Sequence, residues 1–290
     1  MKLVWQSKLV LLLVVPFVGA SLVLETHWWA VQAMQVAIWT VGLSLLLGLV
    51  VLKLRAATLG GAATGFAITA SLMFSTVIIP YEPWQTALLP VLAVSILAHV
   101  ATRLGRAQKE RLGIAEKRRG RTGSQIAANL GAAALVSNEL VQSWLTDTNW
   151  FSSLTTTPMP LFTVGLAALT EAAADTVSSE LGQVLSSQPR MVTTLRKVEP
   201  GTDGAISWAG TFAGVTAAGI VAVIGTYAVR GDLAMLLISF AAGVFGLFFD
   251  SLLGATLERR GWLNNDAVNF LSTASAAVFA LGLLAILAHT

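Results

Sequence analysis

Acids in stretches that otherwise look built for lipid need a physical reason, and this chain has several. The run E-A-A-A-D-T-V-S-S-E-L-G, residues 171–182, sets Glu171 and Asp175 four residues apart, on one helical face, with Glu180 near the helix end. A second run, F-F-D-S-L-L-G-A-T, residues 248–256, places Asp250 four residues before Gly254, with Ser251 beside it. An unpaired carboxylate at membrane depth is costly, so such groups face a polar interior, a partner or a cation. No lysine or arginine lies within the surrounding apolar stretches. The partner must come from a loop or be a metal ion. Oxygen ligands suit Mg²⁺, which takes one or two carboxylates plus substrate phosphates. Asp175, Asp250 and Glu180 are the expected ligands. Solvation at the helix end would also account for Glu180, less well for Asp175 and poorly for Glu171.

Two further clusters could meet a phosphate. In L-R-K-V-E-P-G-T-D-G-A-I-S, residues 195–207, Gly201 and Gly204 flank Thr202 in a turn, and Ser207 precedes an apolar helix. A glycine-rich turn before a helix presents backbone N–H groups to an anion. Arg196 and Lys197 add positive charge, and Lys197 is the candidate catalytic cation. The spacing is not that of a Walker A loop, and most such turns are only turns. In K-R-R-G-R-T-G-S-Q-I-A-A-N, residues 117–129, Gln125 and Asn129 share a helical face behind Arg121. Intramembrane amides also join helices, so structural and binding readings both stand. Asn264, Asn265, Asp266 and Asn269 crowd the start of the last apolar stretch, and one helix cap needs only one of them.

The elements that must position these groups are transmembrane. The 290 residues are 55% hydrophobic and 11% charged, with mean hydropathy +0.74. A soluble domain usually carries about 25% charged residues. The sequence predicts an all-α polytopic bundle of about nine spans: 8–24, 28–52, 57–79, 86–102, 125–146, 159–181, 206–229, 232–256 and 267–288. The lysine-flanked N-terminus resembles a signal peptide but is expected to remain as the first helix. Residues 1–290 form one integral membrane domain: N-terminal helices 1–102, a basic loop 103–124 and a motif-bearing half 125–290. With the N-terminus cytoplasmic, every basic residue of the 18 except Arg230 falls on the cytoplasmic side, as the positive-inside rule requires. The polar clusters then share one cytoplasmic mouth, where nucleotides are. The absence of an Arg- and Ser-rich transit peptide favours a bacterial inner membrane. The chain has no cysteine, so disulfides and thiolate metal sites are excluded, and His27, His99 and His289 have no metal-ligand spacing.

The motifs R-G-R-T-G-S-Q-I-A-A-N, A-D-T-V-S-S-E-L-G, V-E-P-G-T-D-G-A-I-S and D-S-L-L-G-A-T-x₇-N-N-D-A-V-N resemble, in this order, an integral membrane family long listed as a domain of unknown function. That family includes plant phytyl-phosphate kinase. The resemblance implies transfer of a phosphoryl group from a nucleoside triphosphate, CTP favoured, to an isoprenyl monophosphate in the bilayer. Its members often carry an aromatic residue at the position of Val177 and glycines at those of Asp203 and Gly204. A looser likeness to CDP-diacylglycerol synthases and dolichol-kinase-type enzymes implies a cytidine-nucleotide and Mg²⁺ site; Gly201 here replaces their lysine before the threonine. No nucleic-acid partner is expected, and a homo-oligomer stays open. Two rivals remain: a cytidylyltransferase making a CDP-lipid, and a cation- or proton-coupled transporter. The roles of Glu171 and Glu139 stay unassigned.

Overall fold

The computed structural model describes residues 4–113, 120–139, 141–142, 158–186 and 188–288. The chain is all-helical: α1 (Val4–Gln32), α2 (Met34–Lys53), α3 (Leu59–Phe74), α4 (Leu88–Arg103), a short α5 (Arg106–Leu112), α6 (Gly123–Ser137), α7 (Pro158–Leu185), α8 (Trp208–Ala228), α9 (Leu233–Leu253) and α10 (Asn265–Ala288). Five of these are long and apolar enough to cross a membrane, namely α1, α2, α8, α9 with its C-terminal extension, and α10. The helices α3 and α4, 16 residues each, are apolar but shorter than the roughly 20 residues that span a hydrocarbon core. The helix α1 continues past residue 24, where the first expected span ends, to within one residue of α2. Residues 140 and 143–146 of the fifth expected span, and the loop cations Lys117, Arg118 and Arg119, lie outside the described residues.

One helix organises the rest. From Leu161 to Ala174 every residue of α7 is buried, because α4, α6, α8, α9 and α10 all pack around it. A helix enclosed on all sides needs no polar stripe, and apart from Glu171 this stretch is Leu, Phe, Val, Ala, Gly and Thr. Glycines set the approach of its neighbours. A Cβ on Gly210 or Gly214 of α8 would stand 2.7 Å from the carbonyl oxygens of Ser178 and Ala174, so α8 lies directly on the α7 backbone. Gly243 and Gly246 let α9 close on the side chains of Thr170 and Glu171, where an added Cβ would overlap them. This small-residue packing delivers the acids of α7 and α9 to one another.

Between α7 and α8 the expected loop contains a small antiparallel ribbon, β1 (Arg190–Met191) and β2 (Ala205–Ile206), pairing Arg190 with Ile206 and Met191 with Ala205. At the same end of the molecule, residues 55–58 are clipped to residue 121. The Arg121 N–H donates to the Ala56 carbonyl at 2.9 Å, and the Arg121 carbonyl accepts from the Thr58 N–H at 3.0 Å. Gly120 permits this with φ +76°; a Cβ there would meet the Arg55–Ala57 backbone at 2.7 Å.

Candidate active site

A polar cavity of about 380 Å³ opens where α6, α7, α9, α10 and the ribbon loop converge. Its wall brings together, from distant parts of the chain, Arg121, Gln125 and Asn129; Asp175 and Glu180; Gly201, Thr202, Gly204 and Ser207; Asp250, Ser251 and Gly254; and Asn265 and Asn269. Thr176, Ser178, Asp203, Glu258 and Asp266 also line it.

At its floor, the carboxyl groups of Asp175 and Asp250 are within hydrogen-bonding reach of each other. The Arg121 guanidinium is close enough to act on Asp175 electrostatically. Ser272 of α10 lies near Asp250 and the deeper Glu171, with its hydroxyl donating to the Asn269 carbonyl at 3.0 Å. Asp250 Oδ2 and Glu171 Oε1 are buried with no hydrogen-bond partner. An unsatisfied buried acceptor costs about 1–3 kcal/mol, more when charged. Two carboxyls this close cannot both ionise with nothing between them; they share a proton or a cation. The fit to Mg²⁺ therefore rests on two carboxylates with an orphaned oxygen, which is what this ion takes alongside phosphates. Among the described residues no group of three or more His, Cys, Asp or Glu is arranged to hold a metal by itself.

Glu180 is placed differently. Its carboxylate is paired with Lys109 of α5, a side chain with only 1% of its surface exposed, and accepts a hydrogen bond from Thr102 Oγ1 at 3.2 Å. Lys109 also donates to the Ala101 carbonyl at 3.0 Å. The acid at the mouth thus has a buried loop-derived cation paired directly with it, which accounts for its charge without a metal. In sequence Lys109 is one cation among eight in a loop, and nothing distinguishes it there.

The turn and the second acid motif meet in space. Gly201 and Gly204 both have positive φ, +85° and +73°. Gly204 lies against the backbone of Ala255, and a Cβ on Gly254 would sit 2.8 Å from the Gly204 nitrogen. At this contact α9 widens into a π turn, Gly254–Glu258, whose Arg259 N–H reaches back five residues to the Gly254 carbonyl at 3.2 Å. Such π turns are frequent at functional sites. The glycines of T-D-G and L-L-G-A-T thus form one contact, and it brings Thr202 and Asp203 to the cavity beside Asp250. Burial pushes the Asp203 carboxyl above its usual range, against the opposing pull of Arg259.

A chain of amides lines the opposite wall. Asn265 Nδ2 donates to Asn269 Oδ1 at 3.2 Å, Asn269 Nδ2 to Asn129 Oδ1 at 3.5 Å, and Asn129 Nδ2 to the Gln125 carbonyl at 2.8 Å. Gln125 itself closes a capping box: its Oε1 accepts from the Thr122 N–H at 2.8 Å, while Thr122 caps the start of α6.

Within the chain, residues 42–277 match the model of a family described as integral membrane protein DUF92. The chain belongs to this family. An uncharacterised membrane protein of Methanocaldococcus jannaschii is 44% identical over 108 residues, covering 37% of this chain and 45% of that protein. An uncharacterised membrane protein of Synechocystis is 32% identical over 204 residues, covering 67% and 72%. The chloroplastic protein VTE6 of Arabidopsis thaliana is 29% identical over 195 residues, covering 66% and 56%. No solved structure matches the chain. Every cavity residue falls inside the matched segment, whereas α1 lies before it.

Three candidates stand apart from the DUF92 cavity wall. Lys197 lines a separate shallow cavity with Gln108 and Val198, and Arg196 is exposed on the ribbon, its N–H turned to the Thr194 hydroxyl. Asn264 caps α10, accepting from the Ala267 N–H at 2.9 Å and donating to Ser7 of α1 at 3.0 Å. Of the basic candidates, Arg121 lines the cavity, because the 55–58 clip holds its backbone there. Glu258 and Asp203 line it too and were not singled out in the sequence; Glu258 reads there as an ordinary charge at a helix end.

Proposed function

We propose that this protein is a membrane kinase that transfers the γ-phosphoryl group of a nucleoside triphosphate, CTP favoured, to an isoprenyl monophosphate such as phytyl phosphate. The observation that carries this reading is the convergence of the four motifs on one polar cavity. The resemblance to a family with a plant phytyl-phosphate kinase supplies the reaction class. In this reading Asp175 and Asp250 hold Mg²⁺. The ion, when bound, neutralises charge on the β- and γ-phosphates. The Gly201–Gly204 turn and the α8 N-terminus at Ser207 face the triphosphate with N–H groups. Arg121 draws the two phosphates together, and the amides of Asn129, Asn265 and Asn269 bind the nucleotide or its sugar. An oxygen of the acceptor phosphate attacks the γ-phosphorus. The bond to the β–γ bridging oxygen breaks, and the nucleoside diphosphate leaves with that electron pair. Phosphoryl transfer needs positioning and charge stabilisation more than a protein nucleophile.

The proposed topology has nine spans, a cytoplasmic N-terminus and the cavity mouth on the cytoplasmic face of a bacterial inner membrane. The deciding experiment uses purified protein with Mg²⁺, CTP labelled at the α- or γ-phosphorus, and phytyl, geranylgeranyl and farnesyl phosphates. A kinase moves the γ-label to lipid and releases CDP. Retention of the α-label in lipid with release of pyrophosphate would make the protein a cytidylyltransferase instead. If no acceptor is labelled with any nucleotide, the enzyme reading falls.

A further inference from the structure

A second, mainly apolar cavity of about 130 Å³ lies between α2, α3, α4 and α6. Among its lining residues are Gly48, Gly65, Val94, Ala98 and Leu130. It is not a helix–helix seam. The helices α3 and α4 touch sparsely, and α2 and α4 make at most slight contact. A Cβ on Gly65 would meet only the Ile126 side chain, at an ordinary contact distance of 3.9 Å, so no neighbouring helix is packed tightly on this glycine. The outer faces of the flanking helices carry exposed apolar residues, such as Leu49 and Val50 on α2 and Ile96 and Val100 on α4. In a bilayer those faces are against lipid.

The cavity is apolar along its length and cationic at one end. Arg55, Arg103 and Arg106 line that end together with Arg121. Arg55 has no ion-pair partner among the described residues, and Arg106 Nη2 is buried without a hydrogen-bond acceptor. Arg103 is anchored on the Leu54 carbonyl at 3.2 Å. Arg121 and Asn129 line both this cavity and the polar one. The two spaces therefore meet at those residues, beside Asp175.

We infer that this cavity is the acceptor's binding site: the phosphate-proximal part of an isoprenyl chain lies along Gly48, Gly65 and Ala98, entering sideways from the membrane between α2–α3 and α4, with its monophosphate on Arg55, Arg103 and Arg121. The inference rests on the kinase reading for the identity of the acceptor. An apolar shaft suits the hydrocarbon, the arginine cluster suits a dianion, and the junction at Arg121 places the acceptor phosphate against the triphosphate in the neighbouring cavity. A bidentate guanidinium is well matched to phosphate oxygens.

The test separates the site from the reaction. A farnesyl monophosphate bearing a chain-borne diazirine is photolysed with the protein in lipid nanodiscs, without nucleotide, and the adducts are mapped by mass spectrometry. Adducts on α3 and α4 around Gly65 and Ala98, competed by unlabelled farnesyl phosphate but not by farnesol, are expected. Competed adducts elsewhere, on the α8–α9 face for instance, or no competed adducts, overturn the site and leave the kinase reading standing. Adducts at the shaft from a protein that labels no acceptor keep the site and sink the kinase. In turnover, Gly65→Leu is expected to raise KM for the prenyl phosphate about tenfold or more, the scale of a filled apolar subsite, with KM for CTP within about twofold. Ala98→Leu repeats the test if Gly65→Leu fails to fold, and Leu49→Phe on the lipid face serves as the control. Equal rises in both KM values would overturn the assignment.

Discussion

Lys109 and Glu180 show how one contact can give a residue a second reading. A buried charge is tolerated when paired and hydrogen-bonded, and this pair has a lysine with three donors, a backbone carbonyl and a threonine hydroxyl around it. Removing one partner leaves the other charge stranded, at a cost of about 3–5 kcal/mol, whereas removing both can be close to neutral. Lys109→Met is therefore expected to lower the melting temperature sharply, and Lys109→Met with Glu180→Gln to recover most of it, as read by thermal unfolding in detergent. If Glu180 were a metal ligand, the double variant would refold but stay inactive. The floor acids carry the opposite expectation. Asp175→Asn and Asp250→Asn preserve shape and relieve the repulsion between two adjacent carboxyls, so folding should hold or improve. Activity should fall about a hundredfold or more, the scale of losing a group that stabilises transition-state charge. Full turnover in either variant would remove that residue from the site.

At the scale of elements, the cavity depends on the ribbon loop docking on the π turn. Gly204 meets two demands: φ of +73° and backbone contact with Ala255. Gly261 shares the first, with φ +72°, but a Cβ there would meet nothing within 4 Å. An L-residue in the left-handed region costs about 1–2 kcal/mol. Gly261→Ala should lose roughly that much and keep its nucleotide affinity. Gly204→Ala should lose more and bind CTP far more weakly, because Thr202 and Asp203 move away from Asp250; isothermal titration and thermal unfolding compare the two. Equal effects would mean that the docking contributes nothing. This contact also marks where sequence reading ends. The acids of α7 and α9 stand out along the chain because their cost in lipid is local and visible. The glycines of the turn look like ordinary turn glycines, and the amides like ordinary caps, until a fold places residue 204 against 254 and residue 269 against 129. Asn264 illustrates the other side of that ambiguity, since it does cap a helix. Hydropathy located the helices but misplaced the break after α1 and could not reveal that α7, rather than any lipid-facing span, lies at the centre.

Across the whole molecule, contacts gather several basic residues at one end. Arg103 reaches Leu54, residue 121 is clipped to 55–58, Lys109 pairs with Glu180, and Arg259 Nη1 approaches Met191 Sδ at 3.5 Å. These links tie Arg55, Arg103, Lys109, Arg121, the ribbon and the end of α9 into a single face around the cavity mouth. The other end holds the Pro83–Gln85 turn, which packs near α8, whose C-terminus leads to Arg230 and Asp232. Positive loops stay on the cytoplasmic side, so a protein synthesised in bacteria should present residue 84 to the outside and residue 199 to the inside. The chain contains no cysteine, so single cysteines report without background. Trp84→Cys, at an exposed position, should react with a membrane-impermeant maleimide in intact cells. Glu199→Cys, on the exposed ribbon loop, should react only after the membrane is opened. The reverse pattern would put the cavity mouth on the side that lacks nucleoside triphosphates. It would remove the kinase reading whatever the geometry of the acids, because the donor could not reach them.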